Sequence, residues 1–247
     1  MSSLSIVMPV YNEDQVIESI VLDLERQVVD RLTVAEVVVV DDCSTDRTGA
    51  ILDRLARERP WFAVEHAAEN AGHGPSVVRG LHRATGDWIF QLDSDAQFEI
   101  EDFWKLWEAR AEADLVLGVR IERRDPVHRL VLSRAVSVTV SALARRRVRD
   151  PNVPFRLVRR ELYEDIAPLL SLTTLAPSIL VTLGAVARAW RVVEVPVRHL
   201  PRRRGSSSLR SLRLVAFSLR GLRELLAFHR DLKRRPARAR LVAREVA

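Results

Sequence analysis

Gln91-Leu92-Asp93-Ser94-Asp95-Ala96-Gln97 is the stretch on which the reading of this chain turns. The residues before it, Asp87-Trp88-Ile89-Phe90-Gln91-Leu92, form an aromatic and apolar run suited to a buried strand. The run stops at two carboxylates one residue apart. In an extended chain side chains alternate, so Asp93 and Asp95 point to the same side. Two hard oxygen ligands at a strand end, with Gln97 close behind, suit Mg²⁺ or Mn²⁺ that keeps waters and also binds a substrate's phosphates. Alone the triplet decides nothing, because such triplets recur in surface turns, so its neighbours have to carry the reading.

Working outward, strands and helices alternate. Ser5-Ile6-Val7-Met8-Pro9-Val10 reads as a first strand, followed by the loop Tyr11-Asn12-Glu13 and a helix over 14–29 with Val16, Ile17, Ile20, Val21 and Leu24 at helical spacing. Glu36-Val37-Val38-Val39-Val40 is a continuous apolar run, as in a parallel strand buried on both faces, and it ends in Asp41-Asp42. Ser44-Thr45-Asp46 offers N-cap residues for a helix over 47–59. A short strand over 62–65, a turn at Asn70-Ala71-Gly72-His73-Gly74 and a helix over 75–84 lead into the central strand. This alternation predicts an α/β fold with an open, mostly parallel sheet and right-handed crossovers, whose ligands sit at the carboxyl ends of the strands. Tyr11, Asp41, Asp42, Asp93 and Asp95 all fall there. The second half is expected to hold a strand over 115–120, a helix over 130–145, a loop from Asp150 into a short strand near Leu157, helices over 163–171 and 178–189, and a strand over 191–197. Trp104 and Trp107, three apart on a candidate helix, read as packing or as a wall of a sugar site. A basic loop over 202–208 precedes a helix over 209–233, with Leu212, Val215, Leu219, Leu222 and Leu226 on one face and Arg213, Arg220, Arg223 and Arg230 opposite.

The 247 residues suit one large domain, or one domain with an appendage, and 47% hydrophobic with 29% charged residues excludes global disorder. Cys43 is the only cysteine, so no intramolecular disulfide can form, which fits a reducing cytoplasm. The chain is expected to enter its first strand by Leu4 without a leader, and its longest nearly uncharged window, about 166–187, is broken by Pro168 and Pro177 and does not read as a membrane span. The net charge of +6 is unevenly spread. From Pro201 onward fourteen Lys/Arg face three Asp/Glu, whereas residues 1–200 carry 25 Lys/Arg and 30 Asp/Glu. A mildly acidic body with a strongly basic end points to an anionic partner: a membrane surface, a phosphorylated ligand or nucleic acid.

Taken in order, Pro9-Val10-Tyr11-Asn12-Glu13, Val40-Asp41-Asp42-Cys43-Ser44-Thr45-Asp46, Asn70-x-Gly72-x-Gly74, Gly86-Asp87 and Asp93-x-Asp95 resemble the signatures of family-two inverting glycosyltransferases of GT-A fold. Asp95-Ala96-Gln97, Gly118-Val119-Arg120, the 150–157 segment, Glu194-Val195-Pro196-Val197 and the Arg/Gly/Ser loop at 202–208 are similar to the polyprenyl-phosphate (dolichol-phosphate mannose) synthase group. The resemblance covers residues 4–210. It implies a catalytic domain over 1–208, with a nucleotide-binding half (1–100) and an acceptor half (101–208), followed by a basic amphipathic helix and tail (209–247). It implies Pro9, Tyr11, Glu13, Asp41, Asp42, Asn70 and His73 around the nucleotide. Asp95 and Gln97 would hold the metal, with Asp93 supporting both metal and ribose. Arg120, Arg134 and Arg203 would bind phosphates, for which a guanidinium suits better than an ammonium. An acceptor phosphate is already anionic near neutral pH, so no strong base is required. Two departures stand out. His73 occupies a position where this group has Lys, and Pro177-Ser178 stands where an acidic residue is usual.

The resemblance therefore implies a Mg²⁺- or Mn²⁺-dependent enzyme moving a hexose from a nucleotide diphosphate sugar to a polyprenyl (dolichyl or undecaprenyl) phosphate. It would work at the cytoplasmic face, peripheral to an anionic membrane through its C-terminal helix. Relatives with C-terminal membrane spans make an integral-membrane partner a further expectation. One rival keeps the fold but uses a glycolipid or polysaccharide hydroxyl, which would need a base. Another is a non-catalytic basic protein binding membrane or nucleic acid through residues 201–247; the donor motifs speak against it and against a nucleic-acid partner. No Gly-x-Gly-x-x-Gly follows the first strand, which excludes the usual dinucleotide site.

Overall fold

A computed structural model of the chain describes residues 2–32, 35–121, 127–200 and 211–235, with the backbone alone at 127–129 and 211–217. Seven strands form one sheet: β1 (Leu4–Val10), β2 (Ala35–Asp41), β3 (Phe62–His66), β4 (Trp88–Gln91), β5 (Leu115–Ile121), β6 (Arg156–Arg159) and β7 (Val192–Arg198). Their spatial order is β3-β2-β1-β4-β6-β5-β7. Only β6 runs antiparallel, paired with β4 on one side and β5 on the other. The flanking helices are α1 (Ile17–Gln27), α2 (Thr48–Glu58), α3 (His73–Arg83), α4 (Phe103–Ala109), α5 (Val127–Ala144), α6 (Arg160–Ile166), α7 (Pro177–Ala187) and α8 (Ser211–Arg234).

The sheet forms where the sequence is apolar without interruption. Val37, Val38, Val39 and Val40 are all buried, as a parallel strand covered on both faces requires. β1 reads out against β2 from Leu4↔Ala35 to Val10↔Asp41, but its ladder with β4 stops at Val7↔Gln91. Pro9, which has no N–H to give, lies beyond that last β4 partner. Phe90 on β4 packs against Phe103 and Phe155 with ring centroids 4.9 and 4.8 Å apart, tying α4 and the segment before β6 to the central strand. Trp107 is buried, and Trp104 gives its indole N–H to the Gln27 carbonyl at 3.0 Å, so both tryptophans pack.

Element ends shift for local reasons. α3 begins at His73 rather than after the 70–74 turn. α6 ends at Ile166, because Pro168 has no N–H to continue the helix, and a 3₁₀ turn over Ala167–Leu169 follows. The C-terminal helix departs most from expectation. Leu225, Phe228 and Leu232 are the residues it buries, whereas Leu219, Leu222 and Leu226 face outward at 55%, 42% and 49% exposure. At 100° per residue, Arg223 and Arg230 fall beside these leucines, not opposite them. The side chains of Leu212, Arg213 and Val215 lie outside the described residues.

α3 lies so close to β1 that a Cβ on Gly80 would stand 2.4 Å from Val7 Cγ1. Gly80→Ala should therefore cost about 1–3 kcal/mol through overpacking, despite the better helix propensity of alanine. Urea unfolding measures this; an unchanged or raised midpoint would contradict the close approach.

Candidate active site along one sheet edge

Because β1, β2, β4, β5 and β7 run in one direction, their carboxyl ends line a single edge. Tyr11, Asp41, Asp42, Asp93, Asp95 and Arg120 are brought to that edge as expected. β6 starts there too, at Arg156, since it runs the other way. β4 and β5 are two strand spacings apart, so the Asp93 and Arg120 ends of the sheet are separated by about 10 Å.

The first two loops are sewn together. Asn12, in the left-handed region at φ 53°, accepts the Thr45 N–H on Oδ1 at 2.8 Å, and its own N–H goes to Ser44 Oγ at 3.0 Å. The Glu13 N–H goes to Thr48 Oγ1 at 2.9 Å, and Asp46 Oδ1 accepts the Thr48 N–H at 2.9 Å at the start of α2. These bonds leave Tyr11 exposed above the end of β1, while Pro9 is buried beneath it.

The adjacent carboxylates diverge. Asp41 is buried; Oδ1 accepts the Ser44 N–H at 3.0 Å and Oδ2 meets His66 Nδ1 at 2.8 Å. His66 Nε2 meets Asp53 at 3.1 Å. Burial alone would lower the His66 pKa, but the hydrogen bonds to Asp41 and Asp53 outweigh it and raise the value above the ordinary one. Asp42 instead turns to the glycine turn. Its two oxygens accept the Ala71 and Gly72 N–H groups at 2.9 and 2.8 Å, and Asn70 donates to its carbonyl at 3.1 Å. Asn70 and Asp42 thus shape the turn that delivers His73.

His73 Nε2 stands 2.8 Å from Asp93 Oδ1. Crowding by the surrounding protein pulls the imidazole pKa down, although the side chain keeps 55% of its surface open to solvent, and the Asp93, Asp95 and Asp42 carboxylates together raise it. Asp95 Oδ1 accepts the Gln97 N–H at 3.2 Å, around Ala96 at φ 55°. Gln97 exchanges bonds with Leu200: its carbonyl accepts the Leu200 N–H at 2.8 Å and its side-chain amide donates to the Leu200 carbonyl at 3.2 Å. That donation turns Oε1 away from Leu200, so Asp93, Asp95 and Gln97 supply hard oxygens of the kind Mg²⁺ or Mn²⁺ takes. Among the described residues no group of three or more His, Cys, Asp or Glu side chains is placed to hold a metal ion.

On the far side, Arg120 is not a lone cation. Nε and Nη2 grip Asp150 at 2.7 and 3.0 Å, a bidentate pair that turns the Nη1 side of the fork away from the carboxylate. Arg134 is exposed on α5 and lines a cleft of about 350 Å³ with Ser137, Val138, Ser141, Arg147 and Arg149. Arg203 lies outside the described residues. In the sequence reading Asp150 and Arg156 stand only as part of the 150–157 segment, with a role for neither, and His66 is not named. A lone acid directly after the Arg-rich 145–149 run was the available signal for Asp150. Arg156 is completely buried, and burial lowers its pKa to about 9 against the raising influence of Asp150 and Asp93. Nothing in the sequence marks it as different from the exposed arginines nearby.

The sheet order, the carboxylates on its edge and the glycine turn are those of a GT-A glycosyltransferase, and the comparisons agree. The model of glycosyl transferase family 2 matches residues 5–167. The chain belongs to glycosyl transferase family 2. It is 29% identical over 214 residues to the undecaprenyl-phosphate 4-deoxy-4-formamido-L-arabinose transferase of Pseudomonas aeruginosa, covering 85% of this chain and 61% of the relative. The corresponding transferase of Pectobacterium carotovorum is 27% identical over 218 residues, covering 86% and 64%. The chain thus spans about three fifths of the length of these relatives. Among solved structures, glucosyl-3-phosphoglycerate synthase from Mycobacterium tuberculosis in complex with UDP superimposes with a TM-score of 0.68 at 22% identity, covering 92% of this chain and 80% of that one. A mannosyltransferase from Pyrobaculum calidifontis in complex with GDP-Man and Mn²⁺ gives 0.63 at 22%, covering 96% and 66%. At these identities the likeness is one of fold.

The raised His66 pKa has a consequence for stability. Its bonds to Asp41 and Asp53 stabilise the fold fully below the unfolded histidine pKa of about 6.5 and are lost as pH rises through the higher folded value. Urea unfolding of wild type and His66→Gln should therefore differ most near pH ~5.5 and converge above the folded pKa. A difference that stays constant up to pH ~9 would remove the charged-histidine account.

Proposed function

We propose that the chain transfers one sugar, a hexose being the expected unit, from a nucleotide diphosphate sugar to a polyprenyl phosphate with inversion at the anomeric carbon. The observation that carries this reading is the charge order along one edge: carboxylates at or just past the ends of β2 and β4, then the Arg120–Asp150 pair at the end of β5. In this reading Pro9, Tyr11, Glu13, Asp41, Asp42 and Asn70 surround the nucleotide. A divalent cation held by Asp95 and Gln97, with Asp93 beside it, would neutralise the diphosphate as the glycosyl bond breaks.

The acceptor phosphate is already ionised near neutral pH, so the acceptor side has to capture and aim it, not deprotonate it. Arg120 suits that role, because Asp150 fixes its plane and leaves Nη1 to face an oxyanion. Arg134, at the cleft, supplies a second cation, and Arg203 a third by resemblance. A phosphate oxygen then forms the new bond to the anomeric carbon from the face opposite the departing nucleoside diphosphate, which leaves with the bonding electron pair. His73, facing Asp93, can donate to the diphosphate or to a sugar hydroxyl. A hydroxyl acceptor is less well served. Both oxygens of Asp150, the carboxylate nearest Arg120, are already occupied by that arginine.

The names of the relatives, which act on undecaprenyl phosphate, support a lipid acceptor. No helix among the described residues is long and apolar enough to cross a membrane. The exposed leucines of α8 with Arg223 and Arg230 beside them suit a helix lying in an anionic membrane surface. A peripheral position at the cytoplasmic face, alone or with an integral-membrane partner, follows from that reading.

Calorimetry with GDP-mannose, UDP-glucose, UDP-GlcNAc and UDP-galactose, with and without Mn²⁺, tests the donor. One donor should bind only with metal, and Asp95→Ala should abolish that binding in a folded protein; near-wild-type binding would remove the metal assignment. With short polyprenyl phosphates, Arg120→Ala should raise the acceptor KM at least tenfold and leave donor affinity unchanged, and equal loss of both would move Arg120 to the donor side. For the membrane, Leu222→Glu with Leu226→Glu should abolish sedimentation with anionic vesicles. Undiminished sedimentation would return α8 to a purely intramolecular role.

A further inference from the structure

The C-terminal helix reaches the donor side through a carboxylate. Glu224 on α8 accepts the Leu175 N–H on both oxygens, at 3.2 and 3.1 Å, with the Thr174 hydroxyl and the Ala176 N–H also bearing on it. These groups precede α7, whose own N-cap residue, Ala176, makes no side-chain cap bond. The first N–H groups of a helix need acceptors, and a carboxylate at that end is favoured by the helix dipole. Glu224 thus holds the residues just before α7 from another helix, with its carboxylate at the positive end of that helix's dipole. The held segment is stiff: Ser171 N–H bonds Thr174 Oγ1 and Thr174 N–H bonds the Ser171 carbonyl, both at 3.0 Å.

The other side of this turn bears on the donor loop. A Cβ on Gly74 would stand 2.1 Å from the Thr174 carbonyl oxygen and 2.6 Å from that of Leu175. The backbone at Gly74 therefore lies flush on the turn, and neither can shift alone. Gly74 directly follows His73, which holds Asp93, and Gly72, which holds Asp42. α8 is itself fixed to the body through buried Leu225, Phe228 and Leu232.

We propose that Glu224 is a positioning residue for the donor site: by fixing the 171–176 turn it sets where Gly72, His73 and Gly74 stand, and with them Asp93. The ligand class it serves is a nucleoside diphosphate with a divalent cation, so this role rests on the donor reading above. The C-terminal helix is then a wall of the donor site as well as the surface that faces lipid.

The experiment uses the full chain as Glu224→Ala, Glu224→Gln and, as a control on the same helix, Lys233→Ala. NMR of the backbone amides reads the loop without any ligand. Glu224→Ala should shift the Gly72, His73 and Gly74 resonances, Glu224→Gln should shift them less because an amide oxygen still accepts from Leu175, and Lys233→Ala should leave them in place. Calorimetry with Mn²⁺ and UDP or GDP then reads the site. Glu224→Ala should weaken binding about tenfold, and in a His73→Ala background it should add little, because both changes act on one path. Silent Gly72–Gly74 resonances, or losses that simply multiply in the double variant, would overturn the proposal. If wild type binds neither nucleotide while the resonances still move, the donor reading fails and the positioning of the loop by Glu224 stands.

Discussion

A guanidinium removed from water must find an oxygen for every N–H, and Arg156 does so. Nε bonds the Val153 carbonyl, Nη1 bonds the Ser178 carbonyl and Thr182 Oγ1, and Nη2 bonds the carbonyls of Pro151 and Val153. All five donors are used, and every acceptor is neutral. Leaving one donor unmet in such a place would cost on the order of 1–3 kcal/mol or more, so the acceptors are held in place as firmly as the cation. Those acceptors are the loop that carries Asp150 and the first turns of α7. Asp150 in turn grips Arg120, and the segment leading into α7 backs the Gly72–Gly74 turn. One buried cation therefore sets the relation between the two ends of the site.

Its charge also matters. Arg156 sits where β6 begins, between the end of β4 with its carboxylates and the end of β5 with Arg120. Asp93 and Asp150 both favour its protonated form, and even with its pKa lowered to about 9 it stays cationic at neutral pH. In the proposed reaction a nucleoside diphosphate leaves on one side while an anionic phosphate arrives on the other. A fixed cation in the floor between them lowers the repulsion between two anions that must approach the same carbon, and it does so without reorganising.

The sequence made the first half legible because the apolar runs of β2 and β4 lead directly into acids. Periodicity, burial and chemistry point the same way there. It made the second half less legible for specific reasons. β6 is only four residues long and antiparallel, so its pairing is decided by tertiary contacts and not by an alternation visible in Arg156–Arg159. Asp41 and Asp42 look equivalent in sequence, yet one faces His66 and the other the Ala71 and Gly72 amides, a divergence set by loops far away in the chain. Arg156 could not be told from its exposed neighbours, because its burial depends on carbonyls that only the folded loop presents. In α8 Leu219, Leu222 and Leu226 share an outward face, but a sequence cannot say which of two faces meets the body when Leu225, Phe228 and Leu232 offer another.

The outward leucine row changes what the helix can do. Had the leucine stripe packed inward, α8 would be a closed amphipathic element with a solvated basic side. With Phe228 close to Gly184 on α7 instead, the helix keeps a second apolar row outside. α7 then stands between two constraints, Arg156 at the start of β6 bonding its first turns from within and Glu224 of α8 holding the residues just before it from without. α7 is almost wholly buried, so its end has little freedom to take up a displacement by itself. Whatever holds α8 from outside is therefore felt at the end of α7, and from there at the glycine turn that presents His73 to Asp93. The outward leucine row of α8 and the carboxylates Asp42 and Asp93 are joined by packed backbone.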